Sequence, residues 1–344
     1  MYEAVLLTIL ISLAFCFTNG FQDASTIAAT FIASRSATPR QGIIFVAAMD
    51  FIGALFGGSA VAFTISGLLA LDTHAHLVPV LLAGVLAALT WNLLTWWMGL
   101  PSSSTHGLIG GLVGAGLAAG GVHGVHWGIT GFLEPPHEIT GLAKIIVFLA
   151  VSVLLGFMAG YLMRKTTRIL LRNAKRSVNR DIVRLNWLAA AVMAFTNGAN
   201  DSQKQLGIIA LVLLAAGLSP SLDIPLWARL GCAFLLGAGT LSGGWRIMAT
   251  LGRKIFSIDP IHSFDSQVSS GSVLAVSTLA GAPVSSSHII STSVIGVGAA
   301  ENIRKVQWSV GRDIVLVMIV TIPSTIVLAF GISLVLMPLT GSIS

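Results

Sequence analysis

The sequence is poor in charged residues and in cysteine. Only 19 basic and 13 acidic side chains occur among 344 residues, which is 9%, whereas an ordinary soluble domain carries about 25%. Because 55% of the residues are hydrophobic, a soluble domain of this composition could not cover its surface, so the chain is expected to be an integral membrane protein. The two cysteines, Cys16 and Cys232, lie in apolar runs, which argues against a disulfide framework.

Long polar stretches and strand-like alternation are also absent. The first absence excludes a single anchor carrying a soluble enzyme, and the second argues against an outer-membrane barrel. The pattern predicts an all-α polytopic membrane protein with about ten apolar segments. These segments are 4–33, 42–69, 77–98, 105–121, 141–163, 186–217, 224–242, 266–282, 286–300 and 310–337.

The lysine and arginine residues are distributed unevenly between the loops. If each segment crosses the bilayer once, sixteen of the nineteen fall on one side, Lys144 and Arg229 fall on the other, and Lys204 lies inside a segment. The positive-inside rule places the sixteen in the cytoplasm. We therefore expect a multi-pass protein of the cell membrane, with both termini outside and a basic cytoplasmic linker at 164–185.

Two pairs of motifs show that the chain is a duplication. The motif Phe-Thr-Asn-Gly-x-x-Asp occurs at 17–23 and at 195–201, and a Pro-Ser-rich cluster occurs at 101–106 and at 283–288. From the aspartate to the proline the separation is 78 residues in the first half and 82 in the second. About five segments per half would give the halves opposite orientations, as in many secondary transporters. We expect inverted repeats at 1–163 and 186–344, with interrupted helices and Ser-rich helix starts meeting near the midplane.

Asp23 and Asp201 are the repeated acidic residues. A carboxylate inside a membrane segment is costly and is normally paired or functional. If the helix breaks at each Asn-Gly pair, the freed backbone carbonyls and the carboxylate supply oxygen ligands for Na⁺. A protonatable aspartate would serve proton coupling instead, and a purely structural role remains an alternative. Asp50 has no acidic counterpart in the second half and is expected to pair locally with a polar neighbour.

The Pro-Ser-rich clusters are predicted to begin helices. Hydroxyl groups at such starts cap the helix, and two starts aimed at one place also offer free N–H groups and positive helix dipoles. This arrangement favours a tetrahedral oxyanion. Lys204 could add a positive charge, or could be a buried counter-ion to Asp201.

Together these motifs resemble those of the inorganic phosphate transporter (PiT) family. The similarity covers the paired motifs, the stretch 198–209 and the stretch 243–255. It implies a sodium- or proton-coupled importer of inorganic phosphate, with some members moving sulfate, and a homodimer. Two positions depart from the family pattern: Gln22 stands where a histidine is frequent, and Thr26 stands where an asparagine is usual.

The motifs and the resemblance predict the site residues. Coupling to Na⁺ is favoured over coupling to H⁺, and neither a further cofactor nor a nucleic-acid partner is expected. A sulfate transporter is the alternative, and an intramembrane aspartyl protease is remote because no Gly-x-Gly-Asp pattern occurs. The predicted substrate-binding residues are Gln22, Ser103, Ser104, Thr105, Asn200, Gln203, Lys204, Ser285, Ser286 and Ser287, and the predicted cation ligands are Asp23, Asp201, Asn19, Asn197 and Thr26.

Overall fold

The protein is all-helical in the part that the computed structural model describes. Apart from an isolated bridge between Leu69 and Val125, no strand pairing occurs in that part. The expected all-α class is confirmed. The described residues are 2–71, 77–100, 102–129, 139–175, 177–242, 257–304 and 306–341.

Eleven α-helices occur within these ranges, and one 3₁₀ turn follows the fifth. They are α1 (Tyr2–Ala33), α2 (Pro39–Phe56), α3 (Ala60–Ser66), α4 (Leu77–Met98), α5 (Ser104–Gly120), α6 (Gly141–Leu170), α7 (Val178–Ala215), α8 (Leu226–Ser242), α9 (Pro260–Leu279), α10 (Ser286–Asn302) and α11 (Trp308–Gly341).

The apolar segments correspond closely to the helices. The segment at 77–98 coincides with α4, and each other segment overlaps one helix or, for the second, two helices. The second segment divides into α2 and α3 at 57–59, where Gly58 has a φ of +86° that favours glycine. Much of the predicted linker 164–185 is helical, because α6 continues to Leu170 and α7 begins at Val178.

The expected breaks at the Asn-Gly pairs are wrong, because α1 and α7 run through both pairs as continuous helices. Glycine serves close packing there instead. A Cβ atom on Gly20 would lie 2.1 Å from the carbonyl oxygen of Leu236, and one on Gly198 would lie 2.0 Å from that of Asp50. A glycine inside a helix costs about 1 kcal/mol of helix stability, but here it allows the backbones of two helices to come into contact. The carbonyl groups of these segments are therefore not freed by a helix break.

These close crossings occur twice. α1 crosses α8, where Gly239 lies against the carbonyl of Phe17, and α7 crosses α2, where Gly53 lies against the carbonyl of Phe195. Phe17 and Phe195 occupy the same place in the two copies of the repeated motif. The duplication in the sequence thus corresponds to a duplicated contact in the fold.

Gly53→Ala is expected to destabilise the protein, because the new methyl group would lie 1.9 Å from the Phe195 carbonyl oxygen. Overpacking of this kind costs about 1–3 kcal/mol. Thermal unfolding of the purified protein in detergent measures the loss. Gly331→Ala is the matched control, because nothing lies within 4 Å of its added Cβ atom. Equal unfolding temperatures for the two variants would contradict the tight crossing.

Six helical stretches in the described residues are long and apolar enough to cross a membrane. They are 2–33, 39–56, 77–98, 104–124, 141–170 and 311–338. The remaining helices carry buried polar side chains, as in α7 and α9, or are shorter than eighteen residues, as in α8 and α10. The chain is a multi-pass membrane protein, and the count of ten crossings stays a prediction.

Candidate functional site

The helices α5 and α10 both begin with a serine N-cap. The Ser103 hydroxyl oxygen accepts a hydrogen bond from the backbone N–H of His106 at 3.3 Å, and Ser285 accepts one from His288 at 3.4 Å. The predicted caps are therefore present in both clusters. All four residues are buried. The first backbone N–H groups of each helix have no acceptor within their own helix, as at every helix start.

These two helix starts are in direct contact. The Thr105 hydroxyl donates to the carbonyl oxygen of Val284 at 3.0 Å. The rings of His106 and His288 pack edge to face, with 5.1 Å between their centroids. The N-terminal ends of both helices, which are favourable places for an anion, are thus brought together.

Each repeated aspartate contacts the serine cluster of its own half. The Ser104 hydroxyl donates to Asp23 Oδ2 at 2.9 Å, and the Ser286 hydroxyl donates to Asp201 Oδ2 at 3.4 Å. The two carboxylates are only 3% and 0% exposed. The structure therefore places both aspartates of the repeated motif beside the two helix starts.

Lys204 links the two halves at this site. Its ammonium group donates to Asp201 Oδ1 at 2.6 Å, to the Thr105 hydroxyl at 2.6 Å and to the Val284 carbonyl at 3.0 Å. The side chain is 1% exposed, so the pair with Asp201 is a buried salt bridge. Both roles considered for Lys204 are compatible with this position, because it pairs with Asp201 and also lies at the helix starts.

The site contains two carboxylates and one ammonium group. Asp23 and Lys204 are held by the consecutive residues Ser104 and Thr105, so the two carboxylates and the ammonium group form one cluster. With both carboxylates ionised, two negative charges and one positive charge leave a formal charge of −1. An anion that enters this cluster therefore meets net negative charge unless a cation is present.

Two other predicted substrate residues are engaged with neighbouring helices, and a third contacts its own serine cluster. The amide of Gln22 donates to the Asn92 carbonyl of α4 at 3.1 Å. Asn200 donates to the hydroxyl of Thr278 on α9 at 2.9 Å. Ser287 lies within its own cluster, with its hydroxyl 3.2 Å from that of Ser285.

Gln203 lies at the interruption between α2 and α3. Its amide donates to the carbonyl of Gly57 at 2.6 Å and accepts from the backbone N–H of Val61 at 2.8 Å. Buried backbone groups need partners, and a helix end leaves several without one. Gln203 therefore supplies hydrogen-bond partners for a backbone carbonyl and a backbone N–H at the interruption between α2 and α3.

In the part of the chain that the structure describes, the predicted amide ligands for a cation form no hydrogen bond with the repeated aspartates. Asn19 accepts from Asn92 at 3.1 Å, and Asn197 donates to Asp50 at 3.1 Å. Thr26 is 2% exposed and follows Asp23 by one helical turn, so the two side chains share a face of α1.

Asp50 forms a polar cluster of its own that the sequence only partly indicated. Its carboxylate accepts from Asn197 and from the hydroxyl of Thr240 on α8, at 3.1 Å in both cases. The expected polar pairing is present, but its partners are far away in the chain. A carboxylate in an apolar segment was the available signal, and nothing in the sequence pointed to Thr240.

Comparisons with known proteins agree on one family. The model of the phosphate transporter family matches residues 19–184 and 172–329. A probable low-affinity inorganic phosphate transporter of Bacillus subtilis (strain 168) is 35% identical, with 93% of this chain and 94% of the relative covered. A protein of the same description from Rhizobium meliloti (strain 1021) is 35% identical, with 92% and 91% covered.

A solved structure described as the sodium-dependent phosphate transporter has the same fold, with a TM-score of 0.86 and 22% sequence identity. It covers 97% of this chain, and 99% of its own length is matched. The family consists of transporters, which sets the protease alternative aside. From the family match, the close relatives and the shared fold, we conclude that this chain belongs to the phosphate transporter family.

Proposed function

We propose that the protein imports inorganic phosphate together with a cation, and that Na⁺ rather than H⁺ is the coupling ion. The observation that carries the need for a cation is the cluster of Asp23, Asp201 and Lys204, whose formal charge of −1 either Na⁺ or H⁺ would balance. A phosphate ion adds further negative charge, so its binding requires a cation at one or both carboxylates. The sodium in the description of the structural relative agrees with this choice of ion.

The anion would bind at the starts of α5 and α10. Lys204 and the first backbone N–H groups of both helices supply positive charge and donors. In this proposal the hydroxyls of residues 103–105 and 285–287 also contribute to the anion site. Gln22, Asn200 and Gln203 would contact phosphate only after breaking the hydrogen bonds that they form in this structure.

Cations would bind at the two carboxylates. Because α1 and α7 are continuous, the oxygen ligands must come chiefly from side chains such as Asp23 with Ser104, and Asp201 with Ser286. A serine hydroxyl whose oxygen coordinates Na⁺ would no longer donate its hydrogen bond to the carboxylate. The same hydroxyl could then donate a hydrogen bond to phosphate, so cation binding would provide both charge balance and hydrogen-bond donors. Asn19, Asn197 and Thr26 remain proposed as further ligands.

Uptake of labelled phosphate into proteoliposomes tests this function. An imposed Na⁺ gradient is expected to drive accumulation, whereas a pH gradient alone is not. Unlabelled sulfate should compete weakly, because it shares the tetrahedral shape but carries no proton at neutral pH. Accumulation driven by the pH gradient alone would contradict the choice of ion, and strong competition by sulfate would favour the sulfate alternative.

Ser104→Ala and Ser286→Ala are each expected to weaken the apparent affinity for phosphate. A hydrogen bond to a charged group contributes about 1.5–3 kcal/mol, so the loss should be about tenfold to a hundredfold. Uptake measured over a range of phosphate concentrations gives the affinity. Ser272→Ala is the control, because its hydroxyl is exposed and donates to its own helix. An effect at only one of the two clusters would contradict a single shared anion site.

We further propose that the two halves, 1–163 and 186–344, have opposite orientations. The duplicated crossings of α1 with α8 and of α7 with α2 support this view.

The proposed topology places the linker 164–185 in the cytoplasm and both termini outside, in a homodimer. Cysteines introduced at 177 and 344 should then react with an impermeant reagent from opposite sides, while the native Cys16 and Cys232 are buried. Labelling of both from outside would contradict the inverted repeat.

A further inference from the structure

A cleft of about 450 Å³ opens where α6 ends and α7 begins, with Ile261 of α9 at its edge. Its apolar wall includes Leu171, Val178 and Ile182. Among the residues that the structure describes, no carboxylate lines this cleft. Its polar lining comprises Arg164, Thr167, Arg168, Arg172, Lys175 and Asn179, and we call it the basic cleft.

The positive charges of the basic cleft lie along one side of the chain. Arg164, Arg168, Arg172 and Lys175 follow one another at spacings of four, four and three residues, which places them on one face of a helix and of the turn after it. Like charges at this spacing repel one another. An anion that lies between them would relieve this repulsion.

Only part of this charge is neutralised by the protein. Arg164 pairs with Asp265 at 3.4 Å and with Glu301 at 2.7 Å. Arg168, Arg172 and Lys175 form no ion pair with any residue that the structure describes. Three positive charges therefore remain available to a ligand in the cleft.

The surface beside the basic cleft is apolar. Ile169 and Leu170, at the end of α6, are 74% and 75% exposed, and Leu162 is 58% exposed. Exposed large apolar side chains next to lysine and arginine are typical of the boundary between hydrocarbon and water. A ligand held there can place an anionic group in the cleft and an acyl chain against these side chains.

We propose that the basic cleft binds a phosphate group, carried by an anionic phospholipid or present as free phosphate. The three unpaired cations supply the charge, and Asn179 offers a polar contact at the same cavity, whereas the hydroxyl of Thr167 donates to Asp265. The cleft is separate from the cluster of Asp23, Asp201 and Lys204, because none of these residues lines it. This inference does not depend on the coupling mechanism.

The test compares two variants of the full chain with equal net charge. The cleft variant carries Arg168→Gln, Arg172→Gln and Lys175→Gln. The control variant carries Lys165→Gln, Arg180→Gln and Arg184→Gln, whose side chains lie outside the cleft on the same two helices. Native mass spectrometry in neutral detergent measures binding of phosphatidylglycerol, with phosphatidylcholine as reference. Equilibrium binding of labelled inorganic phosphate gives the number of phosphate ions bound per chain.

Each lysine or arginine near an anionic lipid surface contributes about fivefold in affinity, so the cleft variant should lose about a hundredfold for phosphatidylglycerol. The control variant should change by much less. Loss in the lipid measurement alone identifies a lipid headgroup, and loss of one bound phosphate ion identifies free phosphate. Equal behaviour of the two variants in both measurements overturns the proposal. If the triple variant does not elute as a folded protein, the single variant Arg172→Gln, at an exposed position, is used for the same two binding measurements.

Discussion

Asp23→Asn is expected to abolish phosphate uptake driven by a Na⁺ gradient while leaving the protein folded. The substitution keeps the size of the side chain and removes one negative charge. Asp201 and Lys204 then balance each other, so phosphate no longer needs a cation in order to bind. We expect phosphate binding to become independent of Na⁺, and coupled uptake to fall by at least about a hundredfold, a change equivalent to about 2.7 kcal/mol.

Proteoliposome uptake and equilibrium binding of labelled phosphate, each with and without Na⁺, separate the two effects. Asp313→Asn is the control, because that carboxylate is largely exposed and pairs only with Arg312 at 3.6 Å among the described residues. Asp201→Asn should also stop uptake, but it leaves Lys204 without its carboxylate and should destabilise the fold as well. Uptake by Asp23→Asn at the normal rate, with unchanged dependence on Na⁺ and pH, would show that this aspartate is structural.

Lys204→Met is expected to lower the free energy of unfolding by about 3–5 kcal/mol, because removal of one partner leaves the other charge buried and unpaired. Methionine fills a similar volume without the charge. The Thr105 hydroxyl also loses the donor Lys204, and the Val284 carbonyl keeps only the hydrogen bond from Thr105. Phosphate binding should fail in addition, since the site then holds two carboxylates and no positive side chain.

The double variant Asp201→Asn with Lys204→Met distinguishes the structural role of Lys204 from its role in binding. It removes both charges of the pair, so much of the lost stability should return. Uptake should not return, because the anion still lacks its cationic partner. Thermal unfolding and uptake are measured on the same preparations, with Lys165→Met as an exposed control. Normal stability and normal uptake in Lys204→Met would contradict both roles.

Much of the site could be predicted because its signals are local. The serine caps at 103 and 285 follow from hydroxyl side chains placed directly before apolar segments. The pairing of each aspartate with the serine cluster of its own half agrees with the nearly equal spacing of the repeated motifs. Lys204 was correctly placed beside Asp201, because residues three apart share a face of a helix.

The parts that were missed depend on residues far away in the chain. An Asn-Gly pair can end a helix or can admit a neighbouring backbone, and the choice at Gly20 depends on Leu236. Gln203 is held by Gly57 and Val61, which lie 146 and 142 residues away. Periodicity and motif spacing describe one segment at a time, so they contain no information about such contacts.

Helices of each half pack on helices of the other half, and this has a consequence for the synthesis and insertion of the chain. α5 of the first half packs on α11, where Gly110 and Gly114 lie against the backbone of 322 and 326. In the same manner α10 packs on α6 of the first half. When the ribosome has finished the first half, α5 can already pack on α4, where Gly84 and Gly111 touch, but it still lacks α11. While α6 to α10 are being made, the nascent chain must therefore hold the face of α5 that carries Gly110 and Gly114 without its protein neighbour.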